Sequence, residues 1–252
     1  MEIRLATQSA RRTVGVTMRT PGNDFELAAG FLYGEGVIGS REEIAQVSYC
    51  VDPGIDTAQR YNIVNVALRA DAMPDIAPLE RHFHTTSACG VCGKASLDSL
   101  RVRSLAPVQP GPEVSAEVLY GLPHTLREAQ GVFDQTGGLH AAALFDTDGR
   151  LKALREDVGR HNAVDKLVGW ALLEGKLPLS RSILMVSGRT SFEILQKSLA
   201  AGIPIVCAVS APSSLAVDLA REFGITLVGF LRDERCNVYS SPGRVLVPAV
   251  AR

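Results

Sequence analysis

The chain has 252 residues, with 26 Lys and Arg against 27 Asp and Glu for a formal charge of −1, and its pI is about 6.5. That length buries a large core as one big domain or two modest ones, and the charge supplies no global positive field to draw it to nucleic acid. Residues 1–15 carry Arg4, Arg11 and Arg12 and no apolar core suited to a signal peptide. The most apolar stretch, residues 203–211, holds Pro204 and is far too short for a bilayer. A soluble, cytoplasmic protein with no membrane association is expected.

In chain order, Phe25, Ala28, Phe31 and Leu32 fall at helical spacing behind a potential cap at Asp24, and Gly34 and Gly36 end the pattern. Residues 61–68 read as a strand, so the first third mixes helix and strand as a smaller α+β unit. Pro107, Pro110 and Pro112 mark the best linker. It divides the chain into residues 1–108, ending in a cysteine loop, and residues 113–252. Beyond it, residues 114–131 suit a helix and residues 139–145 a strand that turns at Asp148-Gly149. A long helix should begin near Arg160 to Asn162, placing Val164, Leu167, Trp170 and Ala171 on one stripe.

Two similar units follow. Residues 183–186 lead into Ser187-Gly-Arg-Thr-Ser191 and a helix closed by Gly202; residues 205–209 lead into Ser210-Ala-Pro-Ser-Ser214 and a helix closed by Gly224. Residues 227–231 form another strand. Short apolar strands alternating with amphipathic helices predict an α/β unit with a mostly parallel sheet. Ligands gather at the carboxyl ends of such strands, where these serine-rich turns lie.

Of the five cysteines, Cys50, Cys207 and Cys236 read as structural, and only Cys89 and Cys92 are paired by spacing. An odd count without a signal segment argues for reduced thiols rather than a disulfide framework. In Cys89-Gly-Val-Cys-Gly-Lys94, the lysine or backbone N–H groups can lower a thiol pKa, and the glycines keep bulk away from the sulfur. Such a thiol suits receipt and onward transfer of a persulfide sulfur, with the second cysteine assisting release. The competing reading is a structural zinc site from His82, His84, Cys89 and Cys92. Zinc motifs usually separate their ligand pairs more widely, so no metal is expected. From the Cys-x-x-Cys alone, function stays open.

Ser187, Gly188, Arg189 and Thr190 follow a strand and open a helix. Thr190-Ser-Phe-Glu193 fits a capping box, and free N–H groups at such a start attract phosphate. Arg189 can add a bidentate contact. For an isolated turn of this kind, ordinary helix capping is the better reading. The second serine turn, together with Gly159, Arg160 and His161 at another helix start, favours an anion site. Asp157 and His161, four apart, can form a polar pair. No Walker lysine, G-x-G-x-x-G or G-x-S-x-G motif supports an ATPase, a dinucleotide enzyme or a serine hydrolase.

At these residues the chain resembles the formate dehydrogenase accessory sulfurtransferase family (FdhD/NarQ). The stretches that carry the resemblance are Gly30-Phe-Leu-Tyr-Gly-Glu-Gly-Val37, Cys89-Gly-Val-Cys-Gly-Lys94, Arg155-Glu-Asp-Val-Gly-Arg-His-Asn-Ala-Val-Asp-Lys166, Ser187-Gly-Arg-Thr-Ser191 and Val228-Gly-Phe-Leu-Arg232. The resemblance implies a cysteine desulfurase as sulfur donor and a molybdenum bis-guanine-dinucleotide cofactor as cargo, with apo formate dehydrogenase as the protein served. It makes Cys89 the persulfide carrier and Cys92 its partner. The implied cofactor-binding stretch is Phe230, Leu231, Arg232, Asp233, Glu234 and Arg235, with GDP or GMP as a surrogate ligand, in a homodimer. The implied C-terminal fold is a three-layer, cytidine-deaminase-like domain. Deamination itself is rejected, because Ala142 stands where the His-x-Glu motif of those enzymes needs its acid after His140, and the cysteine pair lies upstream. The chain departs from the family pattern at Ala88, where a serine is usual, and at Cys236, where an aromatic is usual. A non-catalytic guanine-nucleotide cofactor chaperone is the alternative from another class.

Overall fold

The computed structural model describes residues 1–76 and 105–247. The first sheet has the order β2-β1-β4-β3, built from β1 (Glu2–Ala6), β2 (Arg11–Val16), β3 (Ile44–Tyr49) and β4 (Ile63–Leu68), with β1 and β4 parallel. Alternation along these strands sends Ile3, Leu5, Val64, Val66 and Leu68 into a core. Helix α1 (Asp24–Gly34) covers that face with Ala28, Ala29 and Leu32. Asp24 is the first helical residue rather than the cap. Asn23 takes the cap position at φ 56°, and the Asp24 carboxylate accepts from Arg19 at 2.9 Å. A short helix, α2 (Thr57–Arg60), precedes β4.

After the proline-rich segment, β5 (Val114–Ser115) pairs with β12 (Val245–Leu246). Ser115 then caps α3 (Ala116–Ala129) by accepting from the Val118 N–H. Gln130 separates α3 from α4 (Gly131–Thr136). The larger sheet has the order β11-β10-β9-β8-β6-β7: β6 (His140–Phe145), β7 (Leu151–Asp157), β8 (Ile183–Val186), β9 (Ile205–Ala208), β10 (Thr226–Arg232) and β11 (Arg235–Ser240). Helices α5 (Arg160–Leu173), α6 (Phe192–Ala200) and α7 (Ser214–Glu222) connect its strands.

The period-two alternation makes two cores from one sheet. Ala142, Leu144, Leu184, Val186, Val206 and Leu227 face α5, α6 and α7. Ala143, Phe145, Met185, Cys207, Val228 and Leu231 lie under Leu119, Leu122 and Leu126 of α3. The three-layer α/β arrangement stands as expected. The sheet itself is mixed rather than mostly parallel: β8-β9 and β9-β10 are parallel, but β7-β6, β6-β8 and β10-β11 are antiparallel. Tight turns explain two of these, since a hairpin forces its strands antiparallel. Gly149 at φ 79° turns β6 into β7, and Asp233 at φ 52° turns β10 into β11.

The two sheets are joined by the crossing of α1 and α5. A methyl group at Gly30 would overlap the Asp165 carbonyl oxygen, and one at Gly169 would overlap that of Glu26. Only glycines allow this backbone approach. Enclosed between α1 and the sheet, α5 is buried nearly all round from Asn162 to Leu172, including Asp165 and Lys166. The predicted single stripe is therefore too narrow. Among the described residues, no helix is long and apolar enough to cross a membrane.

Candidate functional site

Strand direction brings several segments to one edge. The carboxyl ends of β7, β8, β9 and β10 and the amino end of β6 lie together there. Backbone bonds tie the turns to one another: Ser213 N–H donates to the Thr190 carbonyl at 2.9 Å, and Phe230 N–H to that of Ser210 at 3.2 Å. This is the edge where the sequence placed its anion-binding turns, and the structure brings Arg160, His161, residues 187–190 and the 230–235 hairpin to it.

The individual roles differ from expectation at several positions. Ser187 Oγ accepts from Ala141 N–H at 2.8 Å, extending the β6-β8 pairing by a side chain. A methyl at Gly188 would stand 3.2 Å from His140 Nδ1, a tight approach that the imidazole would have to relieve by a few tenths of an ångström. Arg189 is exposed. Thr190 is only 1% exposed, and its hydroxyl has no partner among the described residues. The capping box does not form. Helix α6 begins at Phe192, and Ser191, its cap residue, makes no side-chain cap bond. Ser191 Oγ instead meets His161 Nε2 at 2.8 Å.

Asp157 and His161 do not pair. Asp157 accepts from Lys166 Nζ at 2.8 Å in the core, while His161 turns toward Ser191 and Glu193. In the hairpin, Leu231 is fully buried in the core beneath α3, because alternation along β10 points it inward while Phe230 and Arg232 point out. Its side chain is a core element, not a cofactor contact. Phe230 and Asp233 hold φ 51° and 52°, strained values for residues with a Cβ. Arg232, Asp233, Glu234 and Arg235 are exposed. Cys89, Cys92, Lys94, His82 and His84 lie outside the described residues. Cys50 and Cys207 are buried, and burial raises the Cys207 thiol pKa, as expected of structural cysteines.

Sequence reasoning missed a polar cluster beside the edge. A cavity of about 250 Å³ opens between β2, α1, α5 and α6, lined by Phe31, His161, Asp165, Glu193 and Lys197 among others. Lys197 Nζ stands 2.7 Å from Asp165 and 3.6 Å from Glu35. Burial pushes Asp165 up to about 6. Burial also works against the Lys197 charge, but Asp165 and Glu35 outweigh it and raise its pKa. Glutamate and lysine on an amphipathic helix ordinarily signal a solvated face, so the pattern of α6 gave no hint of this cluster.

Burial pushes His161 down to about 4, with Glu193 pulling upward and Arg160 pushing further down. An unfolded histidine takes its proton near 6.5. The unfolded state therefore binds the extra proton first, and this group's contribution to stability is lost as pH falls from about 6.5 to 4. An NMR titration should show His161 neutral at about pH 5.5, and Glu193→Gln should lower its midpoint further. A midpoint near that of free histidine would show the ring is not desolvated.

A three-layer α/β chain with an arginine-bearing carboxyl edge, joined by a glycine crossing to a smaller four-stranded sheet, is the class defined so far. The chain belongs to the FdhD/NarQ family, whose model matches residues 1–246. It is 55% identical over 233 residues to the sulfur carrier protein FdhD of Mycolicibacterium paratuberculosis, covering 92% of this chain and 86% of that one. Against the protein of the same name from Streptomyces avermitilis it is 56% identical over 243 residues, covering 95% and 86%. The crystal structure of a formate dehydrogenase accessory protein from Desulfotalea psychrophila superposes with a TM-score of 0.72 at 30% identity, covering 98% of this chain and 89% of that one.

Proposed function

We propose that this chain is a sulfurtransferase of formate dehydrogenase maturation, carrying sulfur as a persulfide on Cys89 from a cysteine desulfurase to a molybdenum bis-guanine-dinucleotide cofactor. Family membership over residues 1–246 supports the sulfur-carrier role. The observation that carries the cofactor half of the reading is the gathering of Arg160, residues 187–190 and the Arg232–Arg235 hairpin on one sheet edge. There, backbone N–H groups and guanidinium groups suit the phosphates of a guanine dinucleotide, for which GDP or GMP can stand in. A homodimer would offer two such edges to the two guanine arms.

In the loading step the Cys89 thiolate attacks the terminal sulfur of the donor's persulfide. The donor's S–S bond breaks, its cysteine thiolate leaves, and a new S–S bond forms on Cys89 with no net oxidation. Attack by Cys92 on the inner sulfur then releases the outer atom as hydrosulfide and leaves a Cys89–Cys92 disulfide, which a cellular dithiol must reduce before the next cycle.

Intact-mass measurement after incubation with a cysteine desulfurase and cysteine tests the reading. A one-sulfur adduct is expected on the wild type and none on Cys89→Ala. An adduct that persists in Cys89→Ala removes this residue from the carrier role. If the Cys89→Ala/Cys92→Ala double variant still binds GDP and still activates apo formate dehydrogenase in cells, the chain is a cofactor chaperone rather than a sulfur carrier.

A further inference from the structure

Helices α5 and α6 face one another through four titratable side chains. His161 and Asp165 are four residues apart on α5, and Glu193 and Lys197 are four apart on α6. Residues at that spacing lie one above the other on a helix face. The result is a ladder of two rungs. The outer rung, at the sheet edge, joins His161 Nε2 to Glu193 at 3.7 Å, and the inner rung joins Lys197 Nζ to Asp165 at 2.7 Å. Each rung sets an acid against a base, with the order reversed between the two helices.

The Lys197 ammonium has a second acceptor. Glu35, at the end of α1, lies 3.6 Å from it. The end of α1 is itself tied to α6, by Tyr33 Oη donating to the Ala200 carbonyl at 2.8 Å and the Gln196 amide to that of Gly34 at 3.3 Å. Glu35 is therefore held in place, and the ammonium is the part free to choose. The cavity of about 250 Å³ that all five side chains line leaves it room to do so. The two carboxylates are not equivalent. The Asp165 and Lys197 side chains are 4% and 5% exposed, whereas Glu35 is 21% exposed and keeps part of its hydration. Asp165 thus gives up its charge first as pH falls. Burial pushes it up to about 6; Lys197 opposes that, and Glu35 and Asp157 add to it. Asp157 is in turn matched by Lys166 at 2.8 Å. The β2 wall of the cavity brings no ionisable side chain, since its residues are Val14, Gly15, Val16 and Thr17.

We propose that this ladder is a proton switch: when Asp165 takes a proton from solvent, the Lys197 ammonium moves its pairing to Glu35, and the interior behind the sheet edge becomes one charge more positive. Its effect on binding rests on the reading that the edge holds the phosphates of the cargo. Arg160 and His161 open α5 little more than one turn from Asp165, so an anion at the edge feels the change. With Asp165 charged, the carboxylate repels that anion. With Asp165 neutral, the repulsion is gone and the anion is held more tightly.

Side-chain NMR of the full chain between pH 5 and 8 tests the switch. In the wild type, the Asp165 carboxyl and Lys197 ammonium signals should shift together, with one midpoint near 6. In Glu35→Gln the second acceptor is uncharged, so the Lys197 shift should shrink and the Asp165 midpoint should fall. A Lys197 signal that stays constant through this range, or that moves as far in Glu35→Gln, overturns the proposal. Calorimetry with GDP reads the consequence at the edge. Asp165→Asn should bind GDP about threefold more tightly than the wild type at pH 7.5, with little difference at pH 5.5. The ligand's own titration cancels in that ratio. An equal ratio at both pH values overturns the link to the edge. Should Asp165→Asn fail to fold, the wild-type and Glu35→Gln spectra still decide. Failure of the wild type to bind GDP overturns the reading of the edge, whereas the Lys197 signal independently decides the switch.

Discussion

Replacing Asp157 with alanine is expected to lower folding stability by about 3–5 kcal/mol, the cost of stranding a buried charge, against a total of about 5–15 kcal/mol for a typical domain. Asp157 and Lys166 are 0% and 1% exposed, and their charged atoms lie 2.8 Å apart. The carboxylate also accepts from Thr20 N–H, Gly159 N–H and the Asn162 amide. Without it, the Lys166 ammonium keeps only the carbonyls of Thr20 and Glu156. Two neutral acceptors cannot replace the ionic hydration the ammonium gave up on burial. Urea midpoints at unchanged slope measure the loss. Adding Lys166→Met to Asp157→Ala should recover part of it by removing the stranded charge, a coupling that a double-mutant cycle reads directly. A loss below about 1 kcal/mol would mean that water reaches the ammonium. The same carboxylate fixes the turn that presents Arg160 and His161, so the variant should also weaken GDP binding at the edge.

That pair shows where sequence patterning stops being informative. The α/β alternation, the serine turns and the glycine stops after α6 and α7 were legible because each is a local event: an apolar run of strand length, a small polar turn, a residue free to adopt positive φ. Residues 151–157 were not read as a strand, because Lys152, Arg155, Glu156 and Asp157 break the apolar alternation. The charges of Arg155, Glu156 and Asp157 instead meet partners on other elements, as when Arg155 pairs with Glu26 at 2.7 Å. Nothing in the periodicity around Asp165, Lys166 and Lys197 marks them as buried, for the same reason. Periodicity reports how many faces of a helix are apolar, and it cannot report that two buried charges neutralise one another. The edge site divides along the same line. Its backbone turns followed from residue type, whereas the inward turn of Thr190 and Leu231 and the His161–Ser191 contact depend on neighbours brought together only by the fold.

The crossing of α1 and α5 gives the other large effect, and its sign opposes simple propensity. An alanine in a helix interior is favoured over glycine by about 1 kcal/mol, so a freely exposed helical glycine should gain from the change. Gly121 in α3 is such a position, with no described atom beyond its chain neighbours and the adjoining helix backbone within 4 Å of where a Cβ would stand. Gly121→Ala should stabilise the chain by about 0.5–1 kcal/mol. Gly30→Ala makes the same local gain but drives a methyl into the Asp165 backbone, which cannot swing aside as a side-chain tip can. The helices must separate toward the ordinary 8–10 Å spacing. That loosens the apolar contacts between the two sheets and the Arg155–Glu26 pair across them, for a net loss of about 3 kcal/mol. Gly169→Ala meets the Glu26 carbonyl from the facing side and should match it. Thermal unfolding of the three single variants checks all of this. Should Gly30→Ala and Gly121→Ala shift stability in the same direction, the two helix backbones are not in contact, and the cavity holding His161, Asp165 and Lys197 loses the wall that α1 provides.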